Sequence, residues 1–478
     1  MTDIAWQTLL TSGWALYLVG LAFWIILQKR PPATTVAWIL SLAALPILGY
    51  LIYYFFGPQR LKRFRLRRLR SRAAVDPDDK SAQAKESAFD APVHLRQMAR
   101  LGFASCDNPI ATAQEADLLV DGAQTFDAIF TAIAEAREHV HLEYYIFATD
   151  RIGKALRDLL TQKAAEGVKV RLLIDALGSV TAGRRFFAPL TRAGGELAFF
   201  HDTRIGRRFR PVINFRTHRK IVVCDGKVGF VGGLNVTDDQ DERVNPHAFH
   251  DVHLRITGGA VRWLQTVFLE DWLYTADKSR GKTPLENFER LMPQVSAGSE
   301  FVQILHSGPN DEREAIHRMQ IAAIDNARER AWLTTPYFVP TAPAVFALIS
   351  AAMRGVDVRV LVPERADSRI VSAAARSYYN ELLNAGVRIW EFKDRMLHSK
   401  TLLVDEDCSF IGTANFDSRS FRLNYEVCAL VYGARMAQRL HDQFEADLHY
   451  ARRIPAQFRQ SLPRRFMDAC ARLFSPVL

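Results

Sequence analysis

The sequence predicts an α/β protein of two similar domains with pseudo-twofold symmetry, preceded by an N-terminal two-helix hairpin. Three observations predict it. First, HRKIVVCDGKVGFVGGLN from His218 to Asn235 and HSKTLLVDEDCSFIGTAN from His398 to Asn415 share His at the start, Lys two residues on, Asp seven on and Asn seventeen on, with the copies 180 residues apart. Second, each copy follows the same series of helix-like stretches and short β-branched apolar runs, the alternation of a βαβ pattern. Third, Ile4 to Leu27 and Ala33 to Phe56 are each 24 residues without a charge, where a membrane-spanning helix needs about 20. The expected division is 1–57 for the hairpin, 58–108 for a basic segment and linker, and 109–295 and 296–478 for the two domains.

The two apolar runs flank Gln28-Lys29-Arg30-Pro31-Pro32, a charged, helix-breaking turn. A cleaved signal peptide fits less well, because the first run is too long, no basic region precedes it and a second run follows. Trp6, Trp24, Trp38, Tyr50, Tyr53 and Tyr54 lie mostly toward the run ends, where amphipathic rings favour the interface. Pro46 is placed to kink the second run. Arg60 to Arg72 then carries eight Lys/Arg and no acid. The positive-inside bias puts this end in the cytoplasm, and two spans put the N-terminus there too. A basic run beside a span is drawn to anionic lipid. Ser71 to Glu86 is polar and lacks apolar periodicity, as a tether does.

The first domain opens with a helix-like stretch, Phe126 to Arg137, and a strand-like run, His141 to Phe147; the second has Ala315 to Arg330 and Leu333 to Val339. Buried strands are next expected within Glu166–Asp175 and Arg354–Pro363, each entered through a Gly. Gly194 and Gly386 then stand where a helix ends. A further strand and the His–Lys element complete each series. The first copy has about a dozen extra residues before its His, including the basic, aromatic stretch Arg204 to Arg216. That loop is a candidate for contact with lipid head groups.

A net charge of +10 and a pI near 9.4 favour an anionic partner. The five Cys are scattered and odd in number, which fits a reducing compartment and offers neither a disulfide framework nor a zinc site.

Residues two apart on a strand share a face, so His218 projects with Lys220, and His398 with Lys400. Asp225 and Asp405, counted with these His and Lys as catalytic candidates, fall just past the strand, at a turn, where they anchor charge rather than attack. Asn235 and Asn415, preceded by Gly232, Gly233 and Gly412, are amide donors for an oxyanion. Together these make a cavity of imidazoles, ammonium groups and carboxamides suited to a phosphodiester. One neutral His attacks phosphorus, and the other donates a proton to the leaving alkoxide and later deprotonates the incoming hydroxyl. Lys220, Lys400, Asn235 and Asn415 hold the non-bridging oxygens. No metal or other cofactor is called for, since no carboxylate cluster resembles a two-metal site. Asp251 and Glu426 follow their motif His by 33 and 28 residues on apolar strands. An acid there is costly unless paired, so both are read as His-orienting residues. A single such motif would be unremarkable; two in matched registers are not. The lone His94, His247, His306 and His441 are read as structural.

The two segments resemble the paired HKD motifs of the phospholipase D superfamily, over residues 109–478. The hairpin, its basic tail and the closing Arg472–Leu478 resemble the bacterial cardiolipin synthase branch. The resemblance implies two α/β domains sharing one metal-independent site, with a phosphohistidine on one of His218 and His398 and acid and base duty on the other; His218 is favoured as the nucleophile, with the reverse assignment open. It implies phosphatidyl transfer between two phosphatidylglycerol molecules, giving cardiolipin and glycerol. The setting expected is a bacterial inner membrane, with multi-pass anchorage, catalytic domains on the cytoplasmic side, and phosphatidylglycerol and anionic lipid as partners. Nucleic acid is not expected, since a nuclease has no use for two spans and no stacking platform is evident. Hydrolysis by the same site is the alternative. The first copy departs from the family's Gly-Ser/Thr-x-Asn pattern, with Gly233 where the second copy has Thr413.

Overall fold

Two sheets with the same strand order organise the chain in the computed structural model, which describes residues 2–27, 32–45, 89–201, 214–276, 291–293, 295–309, 311–476 and 478. The end of the second apolar run, Arg60–Arg72, Ser71–Glu86 and most of Arg204–Arg216 lie outside the described residues. At the N-terminus, helices α1 (Thr2–Ile26) and α2 (Pro32–Ala44) pack on each other through Ile25 and Leu42, with Leu21, Trp38 and Ile39 alongside. Among the described residues no helix is long and apolar enough to cross a membrane.

The described residues from 89 to 201 and from 215 onward fall in a separate compact unit. Its first sheet comprises β2 (Glu115–Val120), β3 (His139–Tyr144), β4 (Lys169–Asp175), β5 (Glu196–Phe200), β7 (Ile221–Cys224), β8 (Val228–Gly232) and β9 (Val252–Thr257), in the order β2-β9-β8-β7-β3-β4-β5. The second repeats it with β10 (Glu300–Ser307), β11 (Arg330–Thr334), β13 (Asp357–Pro363), β14 (Arg388–Phe392), β15 (Thr401–Val404), β16 (Cys408–Gly412) and β18 (Asn424–Tyr432), in the order β10-β18-β16-β15-β11-β13-β14. In each, three strands are parallel and the His–Lys element adds an antiparallel hairpin, β7–β8 or β15–β16. The α/β expectation holds, with mixed rather than purely parallel sheets. Gly194 and Gly386 take φ of 98° and 97° after short helices, a conformation that costs glycine little.

Sheet faces alternate along each strand. Outward residues of the first sheet, such as Val140, Leu142 and Leu172, pack on Phe126 and Ile129 of α4 (Asp121–Glu135) and Leu156 and Leu160 of α5 (Arg151–Ala165). In the second half Leu333, Val358 and Val360 meet α8 (Ala315–Asn326) and α9 (Ala342–Met353). Inward residues of both sheets share one cluster: Ile221, Val223 and Leu254 on one side, Ile304, Ile411 and Val427 on the other. Helices α7 (Val261–Ala276) and α13 (Ala434–Leu448) fill its flanks. β18, NYEVCALVY, is buried along its whole length, as a strand covered on both faces must be.

The halves exchange chain at three places. Helix α3 (Val93–Cys106), within the expected linker, packs on the second half, where Gln303 Nε2 donates to Ala99 O at 3.0 Å. β1 (Ala111–Ala113) pairs with β10, not with the first sheet. β6 (Arg216–Thr217), just before His218, pairs with Asn424 and Tyr425 of β18. Arg219 ties these parts together. Its guanidinium is buried, ion-paired with Asp271 of α7, and donates to Glu426 O at 3.1 Å and Ser307 O at 3.2 Å. Asp271→Ala should leave a buried cation without its carboxylate and cost about 3–5 kcal/mol, read as a lower denaturant midpoint for the detergent-solubilised protein.

Candidate active site

His218 and His398 lie where the halves meet, each held by the stretch that carries the other half's acid: β18 for His218, and the residues just ahead of β9 for His398. His218 N–H donates to Tyr425 O at 2.9 Å, and His398 N–H to His250 O at 2.7 Å. The side chains repeat the exchange. His218 Nδ1 lies 3.1 Å from the Glu426 carboxylate and 3.1 Å from Thr413 O. His398 Nδ1 lies 2.5 Å from Asp251 Oδ2, with Gln240 Nε2 at 3.3 Å. An ionised carboxylate only accepts, so Nδ1 carries the proton in each ring and Nε2 is left with its lone pair. Asp251 and Glu426 therefore orient motif His residues as expected, but each serves the His of the opposite half.

The Lys groups stand beside these rings. Lys220 Nζ donates to His218 O at 2.7 Å, Lys400 Nζ donates to His398 O, and Lys400 Nζ also lies 4.0 Å from Asp251 Oδ2. Burial lowers Lys220 to about 7 against the pull of Glu426, and lowers Lys400 to about 8 against Asp251 and Glu426. Burial also lowers both imidazoles, and His398, with Lys400 beside it, falls to about 4. Burial opposes ionisation of Asp251 and Glu426, but the neighbouring cations hold both below the ordinary carboxylate range. The site thus pairs two neutral imidazoles with two carboxylates and two easily discharged ammonium groups.

Asn235 Oδ1 accepts from Ile146 N–H at 3.2 Å, which leaves its NH2 as the end for another acceptor. Asn415 is buried, its backbone N–H donates to Ser420 Oγ at 3.2 Å, and its Oδ1 has no partner among the described residues. Asp225 and Asp405, counted among the catalytic candidates, do not join the constellation. They sit at the far end of β7 and β15 with φ of 54° and 52°. Asp225 accepts from the backbone N–H groups of Arg137, Glu138 and His139 at 2.8–2.9 Å, and Asp405 from those of Arg328, Glu329 and Arg330 at 2.9–3.2 Å. They cap the turn that enters β3 or β11, in keeping with the anchoring role read from their place at a turn.

The Gly233 departure has a steric cause. A Cβ there would stand 2.1 Å from Asp251 Oδ1. The shorter acid occupies that space, whereas in the second half Thr413 Oγ1 donates to the longer Glu426 at 2.5 Å. Sequence reasoning marked Thr413 only as the hydroxyl that Gly233 lacks, and did not single out Gln240, Tyr145 or His250. The Tyr145 ring meets His218 edge-on at 5.2 Å between centroids, and Lys220 Nζ lies 5.6 Å from its centre. His250 bonds Asp121 at 2.7 Å and Asp447 at 2.8 Å. Burial works against the charge, but these two carboxylates raise His250 to about 10. The one signal for it was its place beside Asp251.

Two α/β halves sharing a pair of His–Lys motifs and crossed carboxylates define a phospholipase D-like protein. A sequence model described as cardiolipin synthase, PLD-like domain, matches residues 129–272 and 320–448, and one described as phospholipase D-nuclease N-terminal matches 15–58. Cardiolipin synthase 1 of Bacillus cereus is 37% identical over 99% of this chain and 95% of its own, and a cardiolipin synthase of Geobacillus thermodenitrificans is 40% identical over 96% and 92%. The chain belongs to the cardiolipin synthase family of phospholipase D-like proteins. Among solved structures, phosphatidylserine synthase of Haemophilus influenzae shares the fold, with a TM-score of 0.59 over 80% of this chain and all of that one, at 16% identity.

Gly233→Ala should push Asp251 off His398 and lower kcat by about 10–100-fold, the usual cost of losing a group that orients a working ligand or base. Thr413→Ser keeps the hydroxyl and should stay within a few-fold of the parent; steady-state kinetics on both checks this.

Proposed function

We propose that the protein is a phosphatidyltransferase that makes cardiolipin from two molecules of phosphatidylglycerol. The observation that carries this is the crossed pair of His–carboxylate contacts, with His218 on Glu426 and His398 on Asp251. It supplies two imidazoles of fixed tautomer, each presenting Nε2. His218 is the nucleophile in this reading, since the deep fall at His398 makes that ring the stronger acid once protonated. His398 takes up a proton at Nε2 from solvent as the anionic phosphodiester binds, and its imidazolium pairs with Asp251. His218 Nε2 then attacks phosphorus, the P–O bond to the glycerol head group breaks, and the leaving alkoxide takes that Nε2 proton from His398. Free glycerol departs. A hydroxyl of the second phosphatidylglycerol then gives its proton to His398 and attacks phosphorus, and the P–N bond breaks. Lys220, Lys400, Asn235 and Asn415 hold the non-bridging oxygens as charge develops.

The same reading places residues 1–57 in a bacterial inner membrane as a hairpin, with 58–108 as basic segment and linker and the domains at 109–295 and 296–478 on the cytoplasmic side. Support comes from the two uncharged runs, the eight cations between Arg60 and Arg72, and the exposed Leu16, Val19, Phe23 and Leu40 on α1 and α2. Residues 93–113 are the exception to the division, since they pack on the second half.

Purified protein in detergent with phosphatidylglycerol alone should yield cardiolipin and glycerol in equal amounts, measured by mass spectrometry and an enzymatic glycerol assay. Phosphatidic acid as the sole lipid product at every lipid concentration would make the protein a hydrolase. His218→Ala and His398→Ala should each abolish turnover.

The alkaline limb of kcat/KM should reflect the two ammonium groups. Their pKa values lie near 7 and 8, so positive charge is present below pH 7 and is lost as pH rises through 8. Activity should fall over that window. Lys220→Arg, which keeps its charge, should move the limb upward even where kcat declines.

A further inference from the structure

Helix α14 (Leu462–Arg472) is turned the opposite way from a helix of a soluble domain. Such a helix buries its apolar stripe and exposes its charges. Here the buried side is Asp468, 2% exposed, with Ala471, while Leu462 is 77% exposed, Phe466 68% and Met467 68%. Just past the helix, Leu473 is 78% and Phe474 55% exposed. At 3.6 residues per turn, Leu462, Phe466 and Leu473 fall within an arc of about 40°. Scattered exposed apolar residues need no account, but a patch does.

The rotation is held by specific bonds. Asp468 accepts from Arg376 of α10 (Arg369–Arg376) at 3.0 and 3.2 Å and from Gln460 at 2.7 Å. The Arg472 guanidinium lies 4.1 Å from the centre of the Tyr378 ring. Beyond the helix, Ser475 Oγ lies 3.2 Å from Tyr378 Oη, and Leu478 O accepts from Arg419 N–H at 3.1 Å. Turning the helix to bury its phenylalanine would break the buried Asp468 pair.

Charge selects the partner. Arg464 and Arg465 stand exposed on the same helix, and its one acid is already spent on Arg376. Arg465, about 60° from Leu462 around the helix, gives the apolar patch a cationic edge, which fits anionic lipid and repels a second copy of itself. Eleven residues make a helix of roughly 16 Å, about half of what crosses the ~30 Å hydrocarbon core, so it lies along the surface. We propose that α14 docks in the plane of an anionic bilayer, with Leu462, Phe466 and Leu473 among the upper acyl chains and Arg465 at the phosphates. This contact belongs to the second half itself and needs no part of residues 1–57.

The test uses the full chain in vesicles of phosphatidylglycerol and phosphatidylcholine, carrying Cys470→Ser and a fluorophore at Phe466→Cys or Leu473→Cys. A probe at Glu166→Cys, on the exposed end of α5, is the control. Nitroxide-bearing lipid should quench the probes at 466 and 473 at least about threefold more than the control, and aqueous iodide should quench them correspondingly less. Iodide reaching all three positions alike would overturn the proposal. So would shielding from both quenchers that grows with the protein-to-lipid ratio, which would mark a protein interface. Phe466→Glu with Leu473→Glu should leave the thermal midpoint unchanged and abolish the lipid quenching of a probe at Leu462→Cys; undiminished quenching would count against the assignment.

Discussion

Each motif His takes its backbone partner and its carboxylate from the opposite half, and the rest of the catalytic body is arranged to keep that exchange in register. The bonds from His218 to Tyr425 and Glu426, and from His398 to His250 and Asp251, are the same pair of contacts written twice. They exist only while the two sheets face each other. What holds the sheets there is apolar: Ile221, Val223, Leu254, Ile304 and Val427 are all buried in the shared cluster, each contributing about 1.5–3 kcal/mol on burial. That layer carries the cost of placing two carboxylates and two ammonium groups out of water, which without pairing would be prohibitive. Arg219 with Asp271, and His250 with Asp121 and Asp447, extend the same logic one layer back.

The symmetry of this arrangement is incomplete in a way that separates the two rings. The first half has the shorter acid, with glycine to make room for it; the second has the longer acid, steadied by a threonine hydroxyl. Gln240 stands beside His398, while His218 has a backbone carbonyl and the edge of Tyr145. Two imidazoles in identical settings would share one role. Here the settings differ, and the proposed division into nucleophile and acid rests on that difference.

Much of this was legible in the sequence for physical reasons. The motif repeats at fixed offsets, so both His, both Lys and both Asn could be placed on matching elements. Asp251 and Glu426 betrayed themselves as acids inside apolar strands. The crossing did not show, because each acid follows its own motif in sequence and only the docking of the sheets hands it to the other. Gly233 read as a missing hydroxyl until Asp251 was found in its Cβ space. Asp225 and Asp405 share the motif but serve the turn entering the neighbouring strand. Helix α3 was hidden because its residues, beyond the tether-like 71–86, were grouped with the basic segment and linker before them. The inverted face of α14 could not be read without knowing that Asp468 has a buried partner.

The early placement of β1 has a consequence for how the chain is made. Ala111 pairs with Val302, a strand of the second sheet that lies 191 residues further along. At about 5–20 residues per second a ribosome needs on the order of 10–40 s to span that gap. For that time α3 and β1 wait without the surface they belong to, while the first sheet can already assemble around β3 and β4. Loop closure across such a distance is slow and leaves apolar surface open. The newborn chain therefore has an interval in which those residues are open to other partners.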